Sequence, residues 1–185
     1  MIKRMAALLL IGGLAIAGCG SDSESSAKTA GNGTDRAFVA AMIPHHESAV
    51  DMAEIAKTRA QSAFVTDLAA DITKTQTEEI SLMREVDAKL EEAGIQPGKL
   101  SVSEHMMGMD QDIGMLESAN PFDAAFIDMM IPHHEGALEM AREELDKGAN
   151  PELKELARNI VDAQQREIDE MVAHSKGKTH SGHDG

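Results

Sequence analysis

The chain has no Trp or Tyr, only four Phe and a single Cys in 185 residues. Without large rings a core has to be assembled from Leu, Ile, Val, Ala and Met, so its stability must come from many small dispersion contacts. One thiol can build neither an intramolecular disulfide nor a multi-thiolate metal site. Basic residues are scarce too: 17 face 32 acidic ones, for a formal net charge of −15. That balance argues against nucleic acid as a partner. No Ser-His-Asp order, glycine-rich phosphate loop or HExxH helix suggests catalysis of those kinds.

What is present begins at the N-terminus. Lys3 and Arg4 precede an apolar run from Met5 to Ile16 that ends at Ala17-Gly18-Cys19, the three-part layout of a secretory signal. The run is too short to span a bilayer. Ile16-Ala17-Gly18-Cys19 resembles the bacterial lipobox, in which cleavage leaves the cysteine carrying lipid at the new N-terminus. Residues 1–19 are therefore expected to be a lipoprotein signal with Cys19 as the lipidation site; the alternative is an ordinary secretory peptide with Cys19 incidental. Residues 20–34 are small and polar, and read as a flexible tether. The expected location is extracytoplasmic, with the protein lipid-anchored to the bacterial cell membrane.

Shifted against itself by 88 residues, the chain aligns Asp35–Met83 with Asp123–Met171 without a gap, at 19 identities in 49 positions. The shared positions include the whole of MIPHHE, at 42–47 and 130–135. In the first copy Phe38, Met42, His45, Ala49, Met52 and Ala56 step by four and three along one helical face. A second stripe runs through Val65, Ala69, Ile72, Gln76, Ile80 and Met83, matched by Leu153, Ala157, Ile160, Gln164, Ile168 and Met171. Two hairpins with one apolar face each pack most simply as an all-α four-helix bundle over residues 35–174, with repeats at 35–90 and 121–174. A long connection from Glu91 to Ala119 holds a short helix near Asp110 to Ser118. Asp35 is the expected cap of the first helix and Asn120 that of the second copy. Residues 175–185 read as a disordered tail.

Pro44 and Pro132 fall within the helical pattern, which implies either a kink or the start of a new helix beside each His pair. Consecutive residues on a helix differ by about 100°, so His45 and His46 occupy the two edges of the inward face, as do His133 and His134. Neutral imidazole ligates copper, zinc, iron or nickel. Glu47 and Glu135 turn further round and are candidate ligands only from a neighbouring helix, or as partners that orient a histidine. Gln76, Glu79, Gln164 and Glu167 form a duplicated Gln-x-x-Glu, expected to support the imidazoles. The plainer reading is a satisfied polar network that fixes helix register.

Methionine is the second signal. Met106, Met107 and Met109 cluster beside His105 in HMMGM, and thioether with imidazole suits soft Cu(I). Met42 and Met130, one turn before the His pairs, join the candidate ligands. Met52, Met83, Met140 and Met171 lie on the apolar stripes and read as core filler. His174, His180 and His183 make the C-terminal segment a weak metal-collecting pattern.

The repeated M-I-P-H-H-x-x-A-x-x-M-A, the downstream Gln-x-x-Glu-Ile-x-x-Met and the intervening HMMGM resemble the bacterial DUF305 family across about residues 35–174. The resemblance implies a ferritin-like four-helix bundle in an exported protein, and some members are implicated in binding copper or silver. The chain lacks the inward carboxylates and Glu-x-x-His pairs of a di-iron site, so ferroxidase activity does not follow from the fold. The leading expectation is a non-enzymatic protein that sequesters or delivers copper, as Cu(I), with another transition metal as the alternative ion. Two further readings stay open: a di-metal oxidase or peroxide-handling bundle, and an interaction scaffold. The expected partners are the metal ion and, through the lipid, the membrane; the oligomeric state is not legible.

Overall fold

The two stripes become two helical hairpins in the computed structural model, which describes residues 30–103, 107 and 112–180, with side chains to residue 177. Helix α1 spans Gly33–Arg59 and α2 Ala63–Glu92; α3 is the short Gly114–Ser118; α4 spans Phe122–Lys147 and α5 Pro151–His180. No strand occurs among the described residues. The signal segment with Cys19, most of the tether, His105, Met106, Met109 and His183 lie outside them, as does the side chain of His180. Among the described helices none is long and apolar enough to cross a membrane.

Within each hairpin the helices pack along their length, and the hairpins meet chiefly through α1 and α4. The stripe residues Phe38, Met42, Ala49, Met52 and Ala56 are all buried, as are Val65, Ala69, Ile72, Ile80 and Met83 on α2. The interior divides into two apolar halves. One gathers Met52, Ile72, Leu116, Phe122, Phe126, Met130 and Met171. The other gathers Phe38, Met42, Met83, Leu90, Met140, Leu153 and Ile160. His45 lies between Met42 of the second half and Ala49 of the first, and His133 between Met130 of the first and Ala137 of the second. The imidazoles therefore form a polar layer between the two halves.

Several boundaries differ from the sequence-based expectation. Helix α1 begins at Gly33, inside the span read as tether, and its cap is Asn32 rather than Asp35. The Asn32 side chain accepts from the Thr34 N–H at 2.7 Å, while the Asp35 carboxylate accepts the Asn32 N–H, a reciprocal capping box. Asp35 is drawn inward because it has a second task described below. At α4 the cap position is Pro121, without a side-chain cap bond, after a cis Asn120–Pro121 peptide. Pro44 and Pro132 sit inside continuous helices, so no new helix starts at either. Helix α5 runs on to His180, into the segment read as a disordered tail. There the Ser175 hydroxyl bonds back to the Met171 carbonyl at 3.0 Å, so a residue that reads as a helix stop is absorbed into the helix.

The duplication reappears as reciprocal fastening of the hairpin turns. Asp123 Oδ1 accepts the Gln61 N–H of the α1–α2 turn at 2.9 Å, and Asp35 Oδ1 accepts the Ala149 N–H of the α4–α5 turn at 3.0 Å. The paired positions are related by the same 88-residue shift. Each hairpin thus supplies the acid that satisfies the other's turn. Asp123→Ala would leave the Gln61 N–H without this acceptor, and we expect it to cost about 1–3 kcal/mol in chemical denaturation. Asp123→Asn, which keeps a carbonyl oxygen in place, should cost less.

Candidate metal centre

All four histidines of the two MIPHHE blocks are buried, none more than 1% exposed. Helices α1 and α4 cross at the bundle centre and bring their first histidines together: the His45 and His133 ring centroids are 3.7 Å apart, tilted by 33°. His46 and His134 lie outward of that pair, at 6.1 Å from His45 and 6.5 Å from His133. Each outer ring meets a carboxylate of the neighbouring helix in its own hairpin. His46 Nε2 is 2.8 Å from Glu79 Oε2, and His134 Nε2 is 2.6 Å from Glu167 Oε2.

A consecutive pair on one helix therefore divides into two roles. With Nε2–H donating to the carboxylate, the outer imidazoles expose a lone pair at Nδ1. Among the described residues neither Nδ1 has a hydrogen-bond partner, and the ring nitrogens of His45 and His133 have none of good geometry, the Met107 and His133 backbones only approaching His45. Six orphan imidazole nitrogens are thus enclosed in one layer, together with the unpartnered Oε1 atoms of Gln76 and Gln164. An unmet buried polar group costs about 1–3 kcal/mol, so the layer is destabilising unless something binds there.

Burial also sets the charge state. Loss of water pushes the His45 imidazole down to about 3, aided by the neighbouring His46 and His134. It pushes His46 down to about 3 as well, and His133 well below the usual histidine range. These rings are neutral at pH 7 and need release no proton before ligating a metal. Glu79 moves the other way, up to about 7, through burial and the nearby Glu167 carboxylate.

The other candidates divide. Met42 and Met130 are fully buried one turn before His45 and His133. Met107 packs against the half of the core that contains Met42, and its backbone approaches His45. Gly136 makes that approach possible: a Cβ there would overlap the Met107 carbonyl. Its counterpart in the first copy is Ser48, so the departure from the repeat at this position was a signal for the seat of the connection, and the sequence reading missed it. Glu47 and Glu135 are not brought in; both are exposed, and Glu47 pairs with Arg84 at 2.6 Å. A carboxylate one step beyond the inward face stays on the solvent side, so neither is brought to the central rings. His174 stacks on Phe64 at 4.2 Å, two turns beyond Glu167, away from the central rings. Among the described residues, no group of three or more His, Cys, Asp or Glu side chains is disposed to hold a metal ion. The available set is therefore paired imidazoles, with the buried Met42 and Met130 one turn before them on the same helices.

The family described as "Domain of unknown function (DUF305)" matches this chain over residues 35–174. Among solved structures, CopM in its Cu(I)-bound form is 31% identical, with a TM-score of 0.66, covering 77% of this chain and 96% of that one. Its Cu(II)-bound form gives 31%, a TM-score of 0.68 and the same coverage. A DUF305 fragment from Deinococcus radiodurans is 36% identical, with a TM-score of 0.61, covering 76% of this chain and 93% of that one. A shorter likeness, 39% over 49 residues, links 26% of this chain to 32% of the uncharacterized protein L153 of Acanthamoeba polyphaga mimivirus. The chain thus spans about a third of that curated relative.

The opposed shifts make the stability of the metal-free protein depend on pH from both sides. Histidines held neutral contribute stability present above their ordinary 6.5 and lost as pH falls, because the unfolded chain then binds the protons. Glu79 at about 7 and Glu144 at about 9 contribute stability present below their ordinary 4.5 and lost as pH rises through those values. Three groups act on the acid side and two on the alkaline side. Thermal unfolding of the metal-free chain should therefore show a maximum between roughly pH 6 and 7. A melting temperature that climbs steadily into alkali would contradict this assignment of protons.

Proposed function

The chain belongs to the DUF305 family, and on that footing we propose that it is an extracytoplasmic, lipid-anchored protein that sequesters or delivers copper. The observation that carries the reading is the central layer: His45 and His133 contributed one from each copy, buried, neutral and, among the described residues, without a well-formed hydrogen bond at either ring nitrogen. Their donor chemistry fits a soft monovalent ion. Imidazole with thioether favours Cu(I), which accepts low coordination numbers. CopM relatives in Cu(I)-bound, Cu(II)-bound and Ag-bound forms support the choice of ion. The lipobox-like Ile16-Ala17-Gly18-Cys19 supports the anchor.

In this reading His45 and His133 hold the ion, with Met42, Met130 and Met107 as the thioethers nearest in the chain and the fold. His46 and His134 flank this pair, each with an Nδ1 lone pair of its own. Glu79 and Glu167 orient those outer rings and make them better donors by accepting their Nε2 protons. The ion is cargo, and what the protein supplies is a neutral, desolvated set of soft ligands. Binding would satisfy nitrogens that are otherwise orphaned, so it should stabilise the fold as well as retain the metal.

Competition of the full chain against a chromogenic Cu(I) chelator tests this. We expect the wild type to withdraw Cu(I) at micromolar chelator strength. His45→Ala with His133→Ala should weaken binding at least tenfold, about 1.4 kcal/mol or more. Glu47→Gln with Glu135→Gln should leave it unchanged. Equal competition by the double histidine variant would remove the central layer as the site. Failure of the wild type to compete would remove copper binding altogether.

A further inference from the structure

A second buried polar cluster lies at the end of the bundle where the chain enters α1. Glu144 on α4 is fully buried, and among the described residues neither of its carboxyl oxygens meets a hydrogen-bond donor. Asp35 on α1 is equally buried, but its carboxylate is well supplied. It accepts the N–H of Ala149 at 3.0 Å, that of Asn150 at 2.8 Å and that of Asn32. An ionised Glu144 in this position would be a desolvated charge with no donor beside another carboxylate, an arrangement proteins avoid. A protonated Glu144 resolves it, because its O–H can donate to Asp35.

Comparison of the two copies shows that this cluster was added at one end only. The counterpart of Glu144 is Ala56, itself fully buried, and that of Gly148 is Ala60. The two differences belong together, since a Cβ at residue 148 would overlap the Glu144 carboxyl. Asp35 and Asp123 fasten equivalent turns, but only the turn held by Asp35 has an acid behind it. That end also receives the entering chain. Asn150 Nδ2 donates to the Ala30 carbonyl at 2.6 Å, and Asn32 Nδ2 to the Lys147 carbonyl at 2.8 Å.

We propose that Glu144 and Asp35 share one proton and form a latch that holds the entering segment Ala30–Asn32 against the α4–α5 turn, opening when the proton passes to solvent. Loss of that proton leaves two buried carboxylates facing one another, and the relief available is for Asp35 to withdraw with the backbone groups it binds. The charged groups that reach Glu144 are Asp35 from α1 and Lys154 from α5, whose Nζ donates to the Gly148 carbonyl at 3.1 Å. From α2, Leu90 packs against Gly31, while the charged Asp87 and Lys89 at this end are engaged with Arg36 and with Glu85 and Glu152. Burial pushes the Glu144 carboxyl up to about 9, with the bond to Asp35 and its charge adding to the effect and Lys154 opposing it. The latch is closed at neutral pH and opens as pH rises through that value. Any anchor at Cys19 reaches the bundle through this segment, so the proton controls how closely the last residues of the connecting chain lie against the bundle.

Amide resonances of the full chain, followed from pH 6 to 10, test the proposal. In the wild type the signals of Asn32, Ala149 and Asn150 should move together with a midpoint near 9. Glu144→Gln, which keeps a donor without a titrating proton, should hold them still, and so should Glu144→Ala, which installs the residue already found at position 56. No movement in the wild type overturns the proposal, as does the same movement in either variant. A shift of these signals on adding EDTA at neutral pH also overturns it, since a cation would then lie between the carboxyls.

Discussion

Burying four imidazoles in one layer at the middle of an apolar bundle is the constraint on which the rest of this structure depends. Nothing about a core of Leu, Ile, Ala and Met asks for them. A helix bundle of this size would be more stable with apolar residues of similar volume at positions 45, 46, 133 and 134. The layer survives because the apolar halves on either side are complete in themselves, one closed by Phe122, Phe126 and its methionines and the other by Phe38 and its methionines. With both ends closed the centre can be costly, and six unpartnered nitrogens can be kept where solvent does not reach them.

The spacing of the motif then decides what each ring does. Adjacent histidines on a helix diverge by about 100°, so both cannot point at the bundle axis. The first of each pair meets its counterpart across the α1–α4 contact, and the second faces its own hairpin partner, where Glu79 or Glu167 waits at hydrogen-bond distance. A single copy of the unit would supply one axial imidazole and one supported imidazole. Duplication is what closes the centre, because the axial rings come from different copies. The chemistry thus resides in the pairing of the repeats and not in either MIPHHE alone.

Much of this was legible from residues. The stripes through Phe38, Met42 and Ala49 and through Val65, Ile72 and Met83 specify two helices and their inward faces, and the 88-residue repeat specifies the second pair. Glu79 and Glu167 could be matched to the histidines because both recur at one spacing. What was not legible has identifiable causes. Asp35 reads locally as a helix cap, and only the tertiary fold shows its carboxylate serving a turn more than a hundred residues away. Glu47 shares a motif with the histidines but lies one step further round the helix, where Arg84 competes for it. Periodicity gives the direction of a side chain to within a face, and at the border of that face a neighbour decides.

The differences between the copies carry as much information as the identities. Where the repeats agree, at the His pairs, the Gln-x-x-Glu and the turn-fastening aspartates, both halves bear the same load. Where they part, the surroundings have lost their symmetry. Ser48 becomes Gly136 because the connection crosses one copy only and its backbone at Met107 needs the space of a Cβ. Ala56 and Ala60 become Glu144 and Gly148 at the end that receives the entering chain, and not at the end covered by α3 and Arg59, whose guanidinium instead bonds the Leu116 and Ala119 carbonyls. A duplicated fold offers each position its own internal control. A buried carboxyl present in one copy and replaced by alanine in the other is not a requirement of the bundle. It answers to what that copy alone must hold.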